Sequence, residues 1–291
     1  MEAFASSVRS EDLRLPGWRE PVFPEQDNER TASFLLVANA VNFSFWGSPK
    51  WTVSYKGSRY DGSFGLFAAF SRAVQEGIPL LDTQFLTHLS ADQLAHILRG
   101  NVQIPLFQER LEILSEMGRI VEARFEGSFA NVLKSAHGSA VDLVALLGSN
   151  FPTFHDIAIF DGQTVAFNKR AQLATAMLYA RFGGKSFGDL SGIGSFTLFA
   201  DYKLPQVLRH VGILNYDQSL GDKIDALCEL TVEEGDYIRL ATLCAGNDLL
   251  NLLRARFSRA NALHLDSLLW LSTQSPGERM RPYHRTRSIF Y

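Results

Sequence analysis

The chain has 291 residues, 46% hydrophobic and 20% charged, a balance that excludes a disordered or collagen-like polypeptide. Its formal net charge is −3. A surface for a long nucleic acid should be clearly basic, so duplex binding is disfavoured, whereas a single phosphate needs only a local cluster of Lys and Arg.

The first stretch, to about Asn28, is broken by Pro16, Pro21 and Pro24 and reads as an extended arm anchored by Trp18 and Phe23. A helical pattern starts near Arg30 and ends before Gly47. Trp51–Tyr55 and Ser58–Tyr60 flank Lys56-Gly57, the signature of a β-hairpin. Helical spacing returns over Phe64–Gln75 and stops at Gly77-Ile-Pro79. Ser90-Ala-Asp-Gln93 has the spacing of a capping box. Pro105 opens a long amphipathic run to Phe125, with Leu111, Leu114, Met117 and Val121 recurring at three and four. Further helices are expected at 140–147, 170–182, 205–210, 237–257 and 261–271, and a second strand pair around Asp161-Gly162. The chain therefore reads as mainly α with a small β component, one unit over 1–291, either single or with two lobes. Cys228 and Cys244 form no disulfide framework and read as buried free thiols in a reducing cytoplasm. Met1–Arg14 has no signal-peptide pattern, and no window approaches the roughly 18 apolar residues of a membrane span.

Several chemistries are absent. Gly183-Gly-Lys-Ser186 resembles the end of a phosphate-binding loop, but the glycine such a loop needs at position 179 is Tyr179. There is no Gly-x-Ser-x-Gly elbow and no His pair at metal-ligand spacing, so neither a cofactor nor a metal is expected. What remains is a set of local arrangements, each with two readings. Asp201 follows the apolar run Phe196–Ala200. It is either an N-cap for the helix near Pro205 or a partly desolvated carboxylate that stabilises a developing cation. Lys169 and Arg170 open a helix, as a solvated pair or as a phosphate site. Asn42-Phe-Ser-Phe-Trp46 is core packing or a stacking wall for a flat heterocycle. Asp266 and Trp270 share a helix face at i and i+4; the carboxylate there can accept two hydrogen bonds from a guanine-type edge, although a plain amphipathic helix fits equally. The ending Arg281–Tyr291 mixes cations with aromatics. It should dock on the body, bringing Arg285 or Arg287 to an anion.

Leu190-Ser-Gly-Ile-Gly194 looks like the hairpin of helix-hairpin-helix DNA glycosylases. Taken together and in order, these pieces resemble a narrower family, the queuosine 5′-phosphate N-glycosylase/hydrolases of queuosine salvage. The matching segments are Asn42–Trp46, Trp51–Gly57, Glu76–Pro79, Lys169–Gln172, Phe199–Leu208, Leu265-Asp266 with Trp270, and His284-Arg-x-Arg-x-Ile-x-Tyr291. The Phe-Ala-Asp-Tyr-Lys-x-Pro-Gln block is the most specific, and the arm before residue 30 matches poorly. The resemblance implies a helical fold similar to helix-hairpin-helix glycosylases, acting on a free nucleotide. It implies release of queuine from queuosine 5′-monophosphate for reuse in transfer-RNA modification. Asp201 matches the family's catalytic aspartate, and Lys169 lies in its basic motif. On this reading Asp266 grips the base, with Asn42, Phe45, Trp46, Phe199 and Trp270 around it. Lys169, Arg170, His284 and Arg285 hold the ribose and 5′-phosphate. The protein would act in the cytoplasm as a monomer, with no stable nucleic-acid complex and no membrane. The alternatives are a DNA or RNA base-excision glycosylase and a non-enzymatic binder of a modified base.

Overall fold

The computed structural model of the chain describes residues 1–274 and 280–291. The N-terminal stretch is not extended throughout. It forms a short helix, α1 (Glu2–Ser7), and one 3-10 turn before running out over the body. The reason is burial: Ala5 and Val8 pack into an apolar cluster, and Arg256 donates to the Ala5 carbonyl. The arm is fastened further along by Arg181, which donates to the carbonyls of Trp18, Pro24 and Glu25 and pairs with Asp27 at 2.8 Å.

Helices follow the apolar spacing wherever a cap precedes it. Asn28 accepts the Thr31 amide at 3.1 Å and opens α2 (Glu29–Ala40), buried along most of its length. The expected hairpin is β1 (Thr52–Tyr55) with β2 (Ser58–Asp61), antiparallel, with Lys56 and Gly57 at positive φ in the turn. It leads into α3 (Gly62–Gln75). Two short helices, α4 (Thr83–Thr87) and α5 (Ala91–Ile97), precede α6 (Phe107–Arg124); the Ser90–Gln93 capping box forms as its spacing suggests. Next come α7 (Phe129–Lys134), α8 (Ala140–Asn150) and an antiparallel pair, β3 (Ile157–Phe160) and β4 (Gln163–Ala166). The remaining helices are α9 (Lys169–Arg181), α10 (Lys203–His210), α11 (Gln218–Asp225), α12 (Val232–Arg256) and α13 (Ala262–Ser272). A two-residue parallel pair, β5 (Glu229–Leu230) with β6 (Arg285–Thr286), docks the C-terminal segment. The chain is mainly α, and no helix among the described residues is long and apolar enough to cross a membrane.

Two apolar clusters organise these elements. The larger gathers α2, α3 and α6 to α9 with the hairpin; the smaller gathers α1, α10, α12 and α13. The segment 182–202 passes from one to the other. Leu190–Gly194 does not join two α-helices as expected. It bridges back to Ser139, forms a 3-10 turn at Ile193–Ser195 and becomes an irregular extended strap, residues 196–200. The cysteines are a second correction, since both are exposed. Cys228 lies in the loop after α11, and Cys244 sits on the outward side of α12, whose inward side carries Leu249 and Leu253.

The strap lies against α12 because Gly246 leaves room: a Cβ there would fall 2.1 Å from Cδ1 and 2.8 Å from Cγ of buried Leu198. Gly246→Ala should therefore destabilise the protein by about 1–3 kcal/mol through overpacking, although alanine favours helix. Denaturant unfolding checks this, and an unchanged or raised midpoint would show that Leu198 can turn aside.

Candidate active site

A strap with no neighbouring strand must find partners for its peptide groups elsewhere, because unpaired buried N–H and C=O groups are costly. In residues 196–200 they go to side chains from three helices. Gln172 of α9 accepts the Thr197 amide at 3.0 Å. Asp266 of α13 accepts the Phe199 amide at 2.8 Å. Arg239 of α12 donates from Nε to the Ala200 carbonyl at 3.0 Å. The strap thus delivers Phe199 and Asp201 to a fixed place.

That place is a cavity of about 320 Å³ between the two apolar clusters. Its aromatic walls are Phe43, Phe45, Phe64, Phe67, Phe199 and Trp270, with Trp18 from the N-terminal arm and Tyr202, Tyr283 and Tyr291. Its polar groups are Asn42, Lys50, Asp61, Ser63, Lys169, Asp201, Lys203, Asp266 and Ser267. Trp270 stacks on Phe64 at 5.9 Å and packs against Trp18 at 5.8 Å.

Asp201 is a helix cap and a largely desolvated carboxylate at once. Oδ1 accepts the amides of Lys203 at 2.7 Å and Leu204 at 3.3 Å, capping α10. Oδ2 faces Lys169 Nζ at 3.5 Å, with both side chains almost wholly buried. The cap locks the carboxylate's orientation and leaves one oxygen for chemistry. Lys169 stands at the first position of α9, where its own amide is held at 3.1 Å by Asp156, itself paired with Arg239.

Asp266 is buried, and burial pushes its carboxyl up to about 7; nearby Asp201 adds to the rise, while the Phe199 amide and Lys169 oppose it. Its proton therefore exchanges near neutrality. Lys203 lies over the Tyr283 ring at 4.7 Å, its ammonium held below its ordinary value by burial. Lys50 pairs with Asp61 at 2.8 Å just before the N-terminus of α3, where Gly62 and Ser63 reach the cavity.

The structure brings together Asn42, Phe45, Lys169, Phe199, Asp201, Asp266 and Trp270. Four other expected site residues lie outside the lining, for identifiable reasons. Arg170 is buried among backbone carbonyls, donating to Asn39 at 3.1 Å and also to Ala40 and Thr153, so it braces the wall and faces no ligand. His284 is buried against Tyr291; burial lowers its imidazole to about 4, leaving it neutral, and neither ring nitrogen has a hydrogen-bond partner among the described residues. Arg285 is drawn to the outer side of Trp46 by the β5–β6 pairing, 5.9 Å from the indole. Trp46 itself lies under Arg285 and Arg287 and forms part of the dock for the C-terminal segment. The expected docking of that segment is observed, but Arg287 meets Glu229 at 3.1 Å.

Lys50, Lys203 and Tyr283 are the site residues that spacing alone did not mark. Lys203 follows Asp201 by two positions inside the Phe-Ala-Asp-Tyr-Lys block, with no spacing of its own to mark it. Lys50 belongs to no local pattern and Tyr283 only to the mixed basic and aromatic ending; both meet the others through the fold.

The queuosine salvage protein family model matches residues 22–291. A Sphaerobacter thermophilus protein named queuosine 5′-phosphate N-glycosylase/hydrolase is 39% identical over all of this chain and 89% of its own length. Relatives with the same name from Bos taurus and Mus musculus are 33% and 34% identical, covering 100% and 97% of this chain and 91% of each relative.

The raised Asp266 has a stability consequence. Its pKa is about 7 in the fold against an ordinary 3.8. Below 3.8 both states are protonated and nothing is lost. Between those values the unfolded chain ionises while the fold does not, so stability falls as pH rises, and above about 7 the loss is complete. Asparagine keeps an oxygen for the Phe199 amide without the charge. Asp266→Asn should thus be near neutral at about pH 4 and stabilising by roughly 1–3 kcal/mol at about pH 8. Denaturation of both forms across pH measures the gap, and a gap that does not widen contradicts a raised carboxyl.

Proposed function

Because the chain belongs to the queuosine salvage protein family, we propose that its cavity hydrolyses the N-glycosidic bond of queuosine 5′-monophosphate, releasing queuine and ribose 5-phosphate. The single observation that carries this reading is the buried Asp201–Lys169 contact, one carboxylate oxygen tied to the α10 amides and the other facing the Lys169 ammonium in an aromatic cavity. In the reaction the C1′–N9 pair of electrons leaves with the base, and C1′ acquires oxocarbenium character. A carboxylate held in a low-dielectric site stabilises that charge strongly and can take the proton of the attacking water. The departing 7-deazaguanine has no N7 to protonate, so hydrogen bonds must stabilise it. Asp266 can accept from the N–H groups of its guanine-like edge, with Phe45, Phe199 and Trp270 as walls and Asn42 beside them. Lys169 serves the ribose side and keeps Asp201 paired between turnovers.

For the 5′-phosphate the cavity offers Lys50, Lys203 and Ser63 at the start of α3, in place of Arg170, His284 and Arg285. Asp61 must then release Lys50. We place the whole 1–291 chain in one catalytic unit, monomeric and cytoplasmic, without metal, cofactor or stable nucleic-acid partner. A cavity of about 320 Å³ and a net charge of −3 support a mononucleotide substrate. A relationship to helix-hairpin-helix glycosylases belongs to the same reading, supported by the helical frame and by a lone aspartate at a helix start.

Incubation with queuosine 5′-phosphate, followed by chromatography, should show free queuine; unchanged nucleotide would leave only a binding protein. Asp201→Asn should bind nucleotide yet turn over at least about 10²–10³-fold more slowly. Near-normal turnover would remove Asp201 from the chemistry. Lys203→Met should weaken the 5′-phosphate by about 1.5–3 kcal/mol in kcat/KM and leave the free nucleoside nearly unchanged; equal losses on both would exclude a phosphate role. Since Asp266 must be ionised to accept from the base, kcat/KM should fall with acid below about pH 7. A profile flat down to about pH 5 would separate Asp266 from base binding.

A further inference from the structure

The two side chains that face each other in the cavity come from different elements. Lys169 opens α9, and Asp201 ends the strap. Their 3.5 Å approach is set behind the wall by one buried ion pair. Asp156 Oδ2 accepts the Lys169 amide at 3.1 Å and Arg239 Nη2 at 2.5 Å, while Oδ1 accepts Arg239 Nη1 at 3.0 Å. The same guanidinium donates from Nε to the Ala200 carbonyl, immediately before Asp201, at 3.0 Å. Asp156 also fixes the approach to α9, its carbonyl accepting the amides of Phe167 at 2.9 Å and Asn168 at 3.0 Å.

Arg239 is almost fully buried and is not part of the cavity lining. Its guanidinium lies between the Phe167 ring, at 3.9 Å, and the Tyr291 ring, at 4.3 Å, and Tyr291 lines the cavity. A third carboxylate, Asp236, touches Nη1 at 3.1 Å. One planar fork therefore ties the backbone beside Lys169, the backbone beside Asp201 and an aromatic wall. A helix start such as Lys169 has free amides that need a partner, and Asn168 supplies no side-chain cap. Asp156 fills that place from a distance, and only because Arg239 neutralises and orients it.

We infer that Arg239, acting through Asp156, is a positioning residue for the hydrolysis: it holds Lys169 and Asp201 at their mutual distance in the cavity. The inference rests on the hydrolytic reading above. Lysine is the discriminating replacement. It preserves the charge opposite Asp156 and Asp236, but a single ammonium cannot reproduce a fork that reaches Asp156 through two nitrogens and Ala200 through a third.

Arg239→Lys, with queuosine 5′-phosphate as substrate, should unfold within a few degrees of the parent and keep KM within about threefold. Its kcat should fall about 10–100-fold, as expected for a displacement near 1 Å. Arg239→Gln, which leaves Asp156 unpaired, should lose both stability and kcat. A merely structural role predicts that lysine restores kcat together with the melting temperature, and that outcome overturns the inference, as does a change confined to KM. If neither Arg239 variant folds, Asp156→Asn, which still accepts the Lys169 amide, is judged by the same thresholds. A second readout is independent of turnover: amide exchange at Lys169 should accelerate at least about tenfold in Arg239→Lys while the interior of α9 stays protected. Unchanged exchange contradicts the positioning. If the parent protein itself cleaves nothing, the hydrolytic reading fails, and exchange at Lys169 still decides whether Arg239 sets that position.

Discussion

The cavity depends on backbone that is irregular yet buried. The strap 196–200 gives the wall Phe199 and the segment 41–46 gives it Asn42, Phe43 and Phe45, and neither has a strand or helix to absorb its peptide groups. Side chains do so instead. Arg110 donates to the carbonyls of Val41 and Phe43, Arg170 to those of Asn39 and Ala40, and Arg239 to that of Ala200. Ser44 is met by the C-terminal segment, its amide held by the Tyr291 carbonyl at 3.0 Å. Without these donors the wall would leave several buried carbonyls unsatisfied, each costing about 1–3 kcal/mol. The scaffold can present aromatic rings on irregular backbone only because guanidiniums stand behind it.

Those arginines are not equivalent. Arg110 and Arg170 have no carboxylate partner among the described residues; burial lowers both to about 9, still charged at neutral pH, and each also lies over Phe43. Their compensation is carbonyl oxygen and ring face. Arg239 has Asp156 and Asp236, and its guanidinium is raised above its ordinary value despite desolvation. The difference follows position. The wall at 41–46 needs only shape, whereas the junction of α9 with the strap must fix two ionised groups against each other. There a neutral bracket would leave Lys169 and Asp201 free to separate toward water, and a charged fork is the stiffer connector.

Much of this was legible from the chain. Some helices that formed as expected carry a cap as well as a period, Ser90 with Gln93 and Asn261 with His264, whereas α3, α6 and α9 follow the period without a side-chain cap. What spacing missed were elements too short to show a period, such as α4, α7 and α11, and the pairing of β5 with β6 across more than fifty residues. In the site, Asp201 and Asp266 were visible because each interrupts an apolar run, and a carboxylate in such a place needs a reason. Arg170 misled because adjacency to Lys169 does not fix direction: at the start of α9 consecutive side chains point about 100° apart. One enters the cavity and the other enters the core. Arg285 misled because a basic segment that docks can spend its charge on the docking itself, here on Trp46, and Arg287 likewise on Trp46 and Glu229; His284 misled because burial against Tyr291 leaves its imidazole neutral.

The cations are divided by kind. Among the described residues those lining the cavity are Lys50, Lys169 and Lys203, and the buried arginines lie behind it. Chemistry gives a reason for the division. A guanidinium is flat, carries five donors and is weakly hydrated, so it suits fixed sets of carbonyls and ring faces in a dry interior. An ammonium is a compact point charge on a flexible stem, able to turn from Asp201 or Asp61 toward an arriving anion and back. Each cavity lysine has such a carboxylate near it: Lys169 has Asp201, Lys50 has Asp61, and Lys203 feels both electrostatically. An empty cavity lined by unpaired lysines would carry strong self-repulsion, whereas one lined by paired lysines stays close to neutral until an anion competes for them. On the proposed reading the resting ion pairs of the site are thus also its means of admitting a phosphate: binding would exchange one anionic partner for another and leave the arginine frame undisturbed.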